Sequence, residues 1–202
     1  MGPSTWHVRE ADPGDLGRVS EALADAFAAD PIVRWLIPNR PGRGARLRRL
    51  FALELEQYVF PAGRVVTTDE VRGASLELPP DRWQMPSSMG LSAAIGWLRV
   101  FGLRLPRASR TQQQFDRGHL QEPHYYIRYV GVAARSQGQG LGSALLRPTL
   151  DRCDREQLPA YLEASSEGSA ALYERLGFVH LGEQRLPDGP PFWPMRRPAT
   201  PA

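Results

Sequence analysis

Apolar positions along this chain repeat with two periods, and the switches between them predict its elements. Thr5 to Glu10 alternates and reads as a first strand. Asp12-Pro13 then looks like an N-cap with proline at the first helical position. Leu16, Val19, Leu23, Ala26 and Phe27 follow at helical spacing, predicting a helix to about Ala29 that Pro31 ends. A Pro/Gly-rich link from Pro38 to Gly44 leads to a second amphipathic helix marked by Leu47, Leu50, Phe51, Leu55 and Tyr58, which Gly63 stops. Arg64 to Thr68 and Gly73 to Leu78 read as a hairpin. Residues 79–121 carry the weakest pattern, with helical pieces predicted near 87–102 and 107–120. His124 to Val132 is the strongest strand, being rich in tyrosine, valine and isoleucine. A helix reaching about Glu156, a strand over Ala160 to Ala164 and a short helix over Ser169 to Leu176 follow. Phe178 to Leu186 and Phe192 to Arg196 are read as two final strands.

The junction after the strongest strand is the unusual one. "RSQGQGLGSALL" (135–146) places Gly138, Gly140 and Gly142 two apart at a helix start, although a helical glycine costs about 1 kcal/mol against alanine. Unpaired N–H groups and the helix dipole there favour an anion, and bare backbone lets a phosphate come close. A P-loop requires Gly-Lys-Ser/Thr, and this chain has no lysine. A dinucleotide fingerprint fits the glycine spacing poorly, although Glu163 could imitate its acidic residue. The strand–loop–helix–strand unit calls for a parallel strand pair and a right-handed crossover. Pro148, inside the predicted helix, should remove one hydrogen bond and kink it.

Composition narrows the function classes. With 202 residues and 42% apolar content the chain can build one core, and it is read as a single domain over 1–202. There is no apolar run of membrane-spanning length, no secretory leader pattern and only one cysteine, Cys153, so a cytoplasmic protein is expected. Cys153 itself is read as a spectator thiol. The net charge of +3 is too small to suggest nucleic acid, and the arginines at 40, 43, 46, 48 and 49 read as a solvated helix face. His119 and His124 stand five apart, with no Cys/His cluster that would suggest a metal. His124 is the one histidine considered as a base.

Gln137-Gly138-Gln139-Gly140-Leu141-Gly142 resembles the Gln/Arg-x-x-Gly-x-Gly/Ala pattern of the GNAT superfamily of N-acetyltransferases. "YVGVAARSQ" before it and "YLEASSEGSAALYERLGF" after it resemble the flanking segments of that family. Within the superfamily the likeness is greatest to the puromycin N-acetyltransferases and their actinobacterial relatives, through "EPHYYIRYVGV", the proline of "GSALLRPTL" and "GPPFWPMRR". It is close over 122–197, looser over 1–78 and weak between.

The resemblance implies a mixed, mostly antiparallel α/β sheet opened by a splayed parallel pair, the fourth and fifth strands, with flanking helices. Residues 79–121 would form a helical lid over the acceptor site. The implied co-substrate is acetyl-CoA, with no metal, and the implied acceptor is a primary amine, most simply of a small molecule. Val130 and Val132 would hold the acetyl and pantetheine groups through their backbone. Gln137, Gly138, Gln139, Gly140, Gly142 and Ser143 would hold the pyrophosphate, with Arg135 beside them. Ser169 stands where relatives often carry asparagine, and Tyr173 matches the tyrosine that protonates the leaving thiolate. The residues alone leave Tyr173 open to a core role. They leave Glu163 divided between a buried ion pair, with Arg128 as the candidate partner, and a base or amine contact. The aromatic residues Tyr58, Trp35, Trp83, Trp97 and Phe101 are divided between core and acceptor pocket. Two other functions stay open: acetylation of a protein N-terminus or lysine, and a non-catalytic acyl-CoA-binding regulatory module.

Overall fold

The structure, a computed structural model, describes residues 6–84 and 90–200. Among these, eight strands and eight α-helices alternate as β1 (Val8–Glu10), α1 (Leu16–Ala26), α2 (Pro31–Leu36), α3 (Arg43–Glu54), α4 (Phe60–Ala62), β2 (Arg64–Thr68), β3 (Gly73–Leu78), α5 (Leu91–Phe101), α6 (Leu105–Gly118), β4 (Tyr125–Val132), α7 (Leu141–Glu156), β5 (Ala160–Ala164), α8 (Glu167–Glu174), β6 (Val179–His180), β7 (Gln184–Arg185) and β8 (Pro191–Arg197). The sheet order is β1-β2-β3-β4-β5-β8-β6, with β7 on β8, and β4–β5 is its parallel pair. This is the predicted mixed sheet.

Alternation along the central strands sends side chains to two cores. Tyr126 and Tyr161 join α1, α3 and α5 on one face, around Leu23, Phe51 and Leu76. Tyr125, Ile127 and Leu162 join α7 and α8 on the other, around Leu146, Leu150 and Phe178. Cys153 is buried in that second core, and burial pushes its thiol up to about 12, so it is an inert packing residue. α7 runs through Pro148 as one element.

Several predicted boundaries move for identifiable reasons. Pro31 begins a helix instead of only ending one, because Asp30 caps α2 through a 2.8 Å bond from Val33 N and proline suits the first turn. The second predicted helix starts at Arg43 and widens to a π-helical turn over Leu55–Val59. The predicted strand over Phe178 to Leu186 is instead two short bridges, with Gly182 at φ +116° between them. Within the arginine cluster, Arg43 is no surface charge: it donates to the carbonyls of Ile37 (2.7 Å) and Ala28 (2.8 Å), bracing both ends of α2. Thr5 and residues 87–89, the ends of two predicted elements, lie outside the described residues.

The β3–β4 register shifts between Leu76 and Glu77, which face Tyr129 and Ile127, so Arg128 is the extra residue of a bulge. Arg128 does not reach Glu163. Its guanidinium makes bonds of 2.7 and 3.0 Å to Glu54 at the end of α3, with both side chains about 5% exposed. Gln112 of α6 accepts a further 3.3 Å bond, so two helices, α3 and α6, are tied to one point of β4. Removing one member of a buried pair strands the other charge, at about 3–5 kcal/mol. Glu54→Gln should therefore lower the unfolding free energy by that amount, read as a lower urea midpoint with the slope unchanged, whereas a loss below about 1 kcal/mol would mean that the pair is solvated.

Candidate active site

The bulge marks where the sheet opens. β4 and β5 pair only through Tyr125–Ala160 and Tyr126–Tyr161, yet β4 continues to Val132 and β5 to Ala164. Backbone groups alternate in direction along a strand. Ala133 N donates to Arg72 O on the β3 side, while Val132 O accepts from Gln137 Nε2 on the other. Two-residue alternation therefore turns the N–H and C=O groups of Val130 and Val132 into the opening. Arg128 and Glu163 keep exposure in their backbones although their side chains are only 5% and 6% exposed.

The glycine loop closes one end of this opening. Gly138 (φ +73°) and Gly140 (φ +78°) are left-handed, and a Cβ on either would meet nothing within 4 Å, so conformation selects glycine there. Gly142 is selected by space, because a Cβ would lie 3.1 Å from Leu172 Cδ2 of α8. Gly140 caps α7 without a side-chain bond, leaving the first amides of the helix open. Trp6 Nε1 holds Gln139 O at 2.9 Å, and Asp25 of α1 accepts from Ala134 N at 2.8 Å, so the loop is anchored from both sides.

A cavity of about 1260 Å³ runs from this loop to the helices on the other side of the opening. Val130, Val132, Gln137, Gly138, Gly140, Gly142, Ser143, Glu163, Ser169 and Tyr173 all line it, whereas Arg135 and Gln139 are exposed on the loop and do not. Ser169 is already engaged, since its hydroxyl donates to Ser166 O at 2.8 Å within the capping box of α8. Trp97, Phe101, Leu105 and Phe115 of α5 and α6 form the apolar far wall. Trp35, Tyr58 and Trp83 are not part of that wall: Trp35 packs on Ile32 and Leu186, Tyr58 lies in the core, and Trp83 stacks on His119.

Tyr173 packs at 5.8 Å on Phe178, and its hydroxyl has no hydrogen-bond partner among the described residues. Burial, with Asp30 adding to it, holds its phenol far above the ordinary tyrosine range, so it stays protonated at any working pH. Asp30, which caps α2 and bonds Ser165 Oγ, also lines the cavity, and burial raises its carboxyl. Glu163 accepts from Tyr126 Oη at 2.9 Å and faces His119 Nδ1 at 3.5 Å. Glu122 is exposed and paired with Arg196 at 2.7 Å.

Sequence reasoning passed over Asp30, Glu54 and the contact of His119 with His124. Asp30-Pro31 repeats the cap signal of Asp12-Pro13 and could have been found that way. Glu54 and the histidine contact depend on tertiary packing and had no local signal.

Residues 94–178 match the acetyltransferase (GNAT) family. An uncharacterized N-acetyltransferase from Schizosaccharomyces pombe is 28% identical over 187 residues, covering 86% of this chain and 74% of that one. The mycothiol acetyltransferase of Acidothermus cellulolyticus is 32% identical over 110 residues, 53% of this chain and 32% of that protein. Among solved structures, a histone acetyltransferase HPA2 and related acetyltransferase from Corynebacterium glutamicum superposes with a TM-score of 0.76 at 31% identity, over 98% of both chains. Arylalkylamine N-acetyltransferase 2 of Aedes aegypti shares the fold, with a TM-score of 0.62 at 15% identity over 98% of this chain and 100% of that one. The chain belongs to the GNAT family and is an acetyl-CoA-dependent acyltransferase.

Proposed function

We propose that this enzyme acetylates the primary amine of a small molecule with an apolar body. The observation that carries this reading is the wall formed by α5 and α6. Trp97, Phe101, Leu105 and Phe115 line the cavity with apolar surface, which suits the apolar body of a small amine better than a polar peptide. At about 1260 Å³ the cavity exceeds the ~300–1,000 Å³ usual for one ligand, which suits a pantetheine arm and a compact acceptor together. The likeness to puromycin N-acetyltransferases extends the proposal to a natural-product amine such as an aminonucleoside. A single domain over 1–202 and a cytoplasmic location are part of the same proposal.

The residues fit the co-substrate. The free backbone groups of Val130 and the N–H of Val132 suit an amide-bearing pantetheine arm, and the open amides of α7 suit a pyrophosphate. Gln137, Gly138, Gln139, Gly140, Gly142 and Ser143 are assigned to that anion, with Arg135 at the exposed rim and Ser169 beside the arm. Acetyl-CoA supplies the thioester carbonyl that the amine attacks. The N–H groups facing the opening stabilise developing negative charge on a carbonyl oxygen. Tyr173 holds a proton for the departing sulfur, and its desolvated surroundings raise the basicity of a thiolate as well as that of the phenol. Glu163 is assigned to the amine.

A panel of 2-phenylethylamine, tryptamine, puromycin, a lysine-bearing peptide and an alanine-initiated peptide, read by thiol release, tests the acceptor. Turnover of the peptides alone would establish the protein-acceptor reading. Acetyl-CoA binding with no turnover at all would favour a regulatory module.

Two variants test the assigned residues. Gly140→Asp places a side chain and a negative charge on a left-handed residue at the start of α7. Acetyl-CoA affinity by calorimetry should fall steeply in a folded protein, and unchanged affinity would remove the loop from the anion site. Tyr173→Phe should lower kcat towards the lower end of the about 10²–10⁴-fold attributed to a positioned acid, with acetyl-CoA affinity unchanged. Stability should hold, because the lost hydroxyl has no partner to strand. Wild-type turnover in this variant would defeat the acid assignment.

A further inference from the structure

Asp30 is a carboxylate on the cavity without a counter-charge. It stands half-buried just before α2 and lines the cavity with Ser165, the residue after β5, and Tyr173 of α8. Its Oδ1 accepts from Val33 N at 2.8 Å, and its Oδ2 accepts from the Ser165 hydroxyl. No cationic side chain pairs with it among the described residues. Arg43 bonds the carbonyls of Ile37 and Ala28 and acts on Asp30 only through its charge. Of the arginines lining the cavity, Arg128 is paired with Glu54, and Arg175 is exposed at the end of α8.

The two bonds fix the orientation of the carboxylate and still leave acceptor positions open, since each of its oxygens can take two donors. Ser165, with its proton given to Asp30, presents only lone pairs to anything further. Phe27, Ile32 and Val33 make the lining around this patch apolar. Burial holds the phenols of Tyr173 and Tyr129 high, and the charge of Asp30 adds to both. The carboxylate therefore lies near the group assigned to the departing sulfur and near the bulged strand. A patch of acceptors in apolar surroundings is matched by a ligand that brings donors and positive charge.

We propose that Asp30 and Ser165 anchor the acceptor nitrogen, which docks there as an ammonium, and that this anchor selects amines over alcohols. The proposal rests on the primary-amine reading and not on the assignment of Glu163. A primary amine resembles the lysine side chain, with a pKa of about 10.4 against about 3.9 for a free aspartate. Although burial raises the Asp30 carboxyl, the proton shared by such a pair sits on nitrogen, whichever partner brought it. The docked cation then supplies the counter-charge that Asp30 lacks. An alcohol brings one hydrogen and no charge, so it covers the carboxylate without compensating it. Before attack the nitrogen releases one proton to solvent, and its two remaining N–H groups still have both acceptors.

Asp30→Asn removes the charge and keeps the cap, because an amide oxygen can also accept from Val33 N. Calorimetry on the CoA-bound enzyme reads the anchor without turnover, using tryptamine and 2-phenylethylamine beside their alcohols, tryptophol and 2-phenylethanol. A hydrogen bond to a charged group contributes about 10–100-fold. The wild type should therefore bind each amine at least about tenfold more tightly than its alcohol. Asp30→Asn should abolish that preference while CoA affinity and melting temperature hold. In steady state the same variant should raise the amine KM about 10–100-fold and leave the acetyl-CoA KM unchanged. Ser165→Ala, which removes a neutral group, should weaken both amines about 2–10-fold, and it carries the test if Asp30→Asn does not fold. Equal affinities for amine and alcohol in the wild type, or the wild-type preference intact in both variants, overturn the anchor and leave the primary-amine reading standing. A wild type that binds neither amine overturns that reading and the anchor together.

Discussion

The site depends on the failure of β4 and β5 to stay paired. A parallel pair hydrogen-bonded along its whole length would satisfy its own backbone and leave no opening. Here pairing ends after Tyr126, and the bulge at Arg128 turns β4 away. Val132 O is held by Gln137 Nε2 at 3.0 Å, and the backbone groups of Val130 and the N–H of Val132 are left to solvent or a ligand. A ligand with amides and carbonyls of its own meets that requirement.

Keeping such a gap open requires support from outside the sheet. Arg128 brings a charge to the bulge, and Glu54 fixes it from α3, while Gln112 adds a bond from α6. Tyr58 and Tyr129 lie 4.9 and 5.5 Å from the guanidinium and shield it from water. The same ion pair therefore locates the helix that carries Phe115 and the strand that carries Val130. A second buried carboxylate, Glu77 on the other side of the bulge, is met by Arg64 at 3.1 Å and Ser75 at 3.0 Å. Charges on both sides of one irregularity make its register specific, because slipping by one residue would bury each without its partner.

What was legible in the sequence follows from how local each signal is. The glycine loop, the strand before it and the helix after it are consecutive, so spacing alone located them. Tyr173 and Glu163 were visible as residues, but their partners were not. Glu163 was weighed against Arg128, a charge on the neighbouring strand, yet their side chains are claimed by different helices: Glu54 of α3 takes Arg128, and His119 at the end of α6 faces Glu163. Contacts of 74 and 44 residues' separation leave no periodic trace, which is why helices α3 and α6 were predicted as amphipathic pieces without their cargo. Pro31 is ambiguous in the sequence because proline ends one helix and opens another by the same chemistry, and only the Asp30 cap decides which.

The two faces of the opening divide the chemistry. On the α7–α8 face stand Tyr173 and the glycine loop, which the proposed function assigns to the leaving group. On the α3–α6 face stand Glu163 and the aromatic wall, which the proposed function assigns to the nucleophile. Strand alternation produces this separation without further machinery, since Tyr161 and Glu163 point one way and Leu162 the other. The proposed donor and acceptor groups are thereby kept on opposite faces of the opening. Tyr173, packed on Phe178, keeps its proton because burial holds its phenol far above the ordinary range.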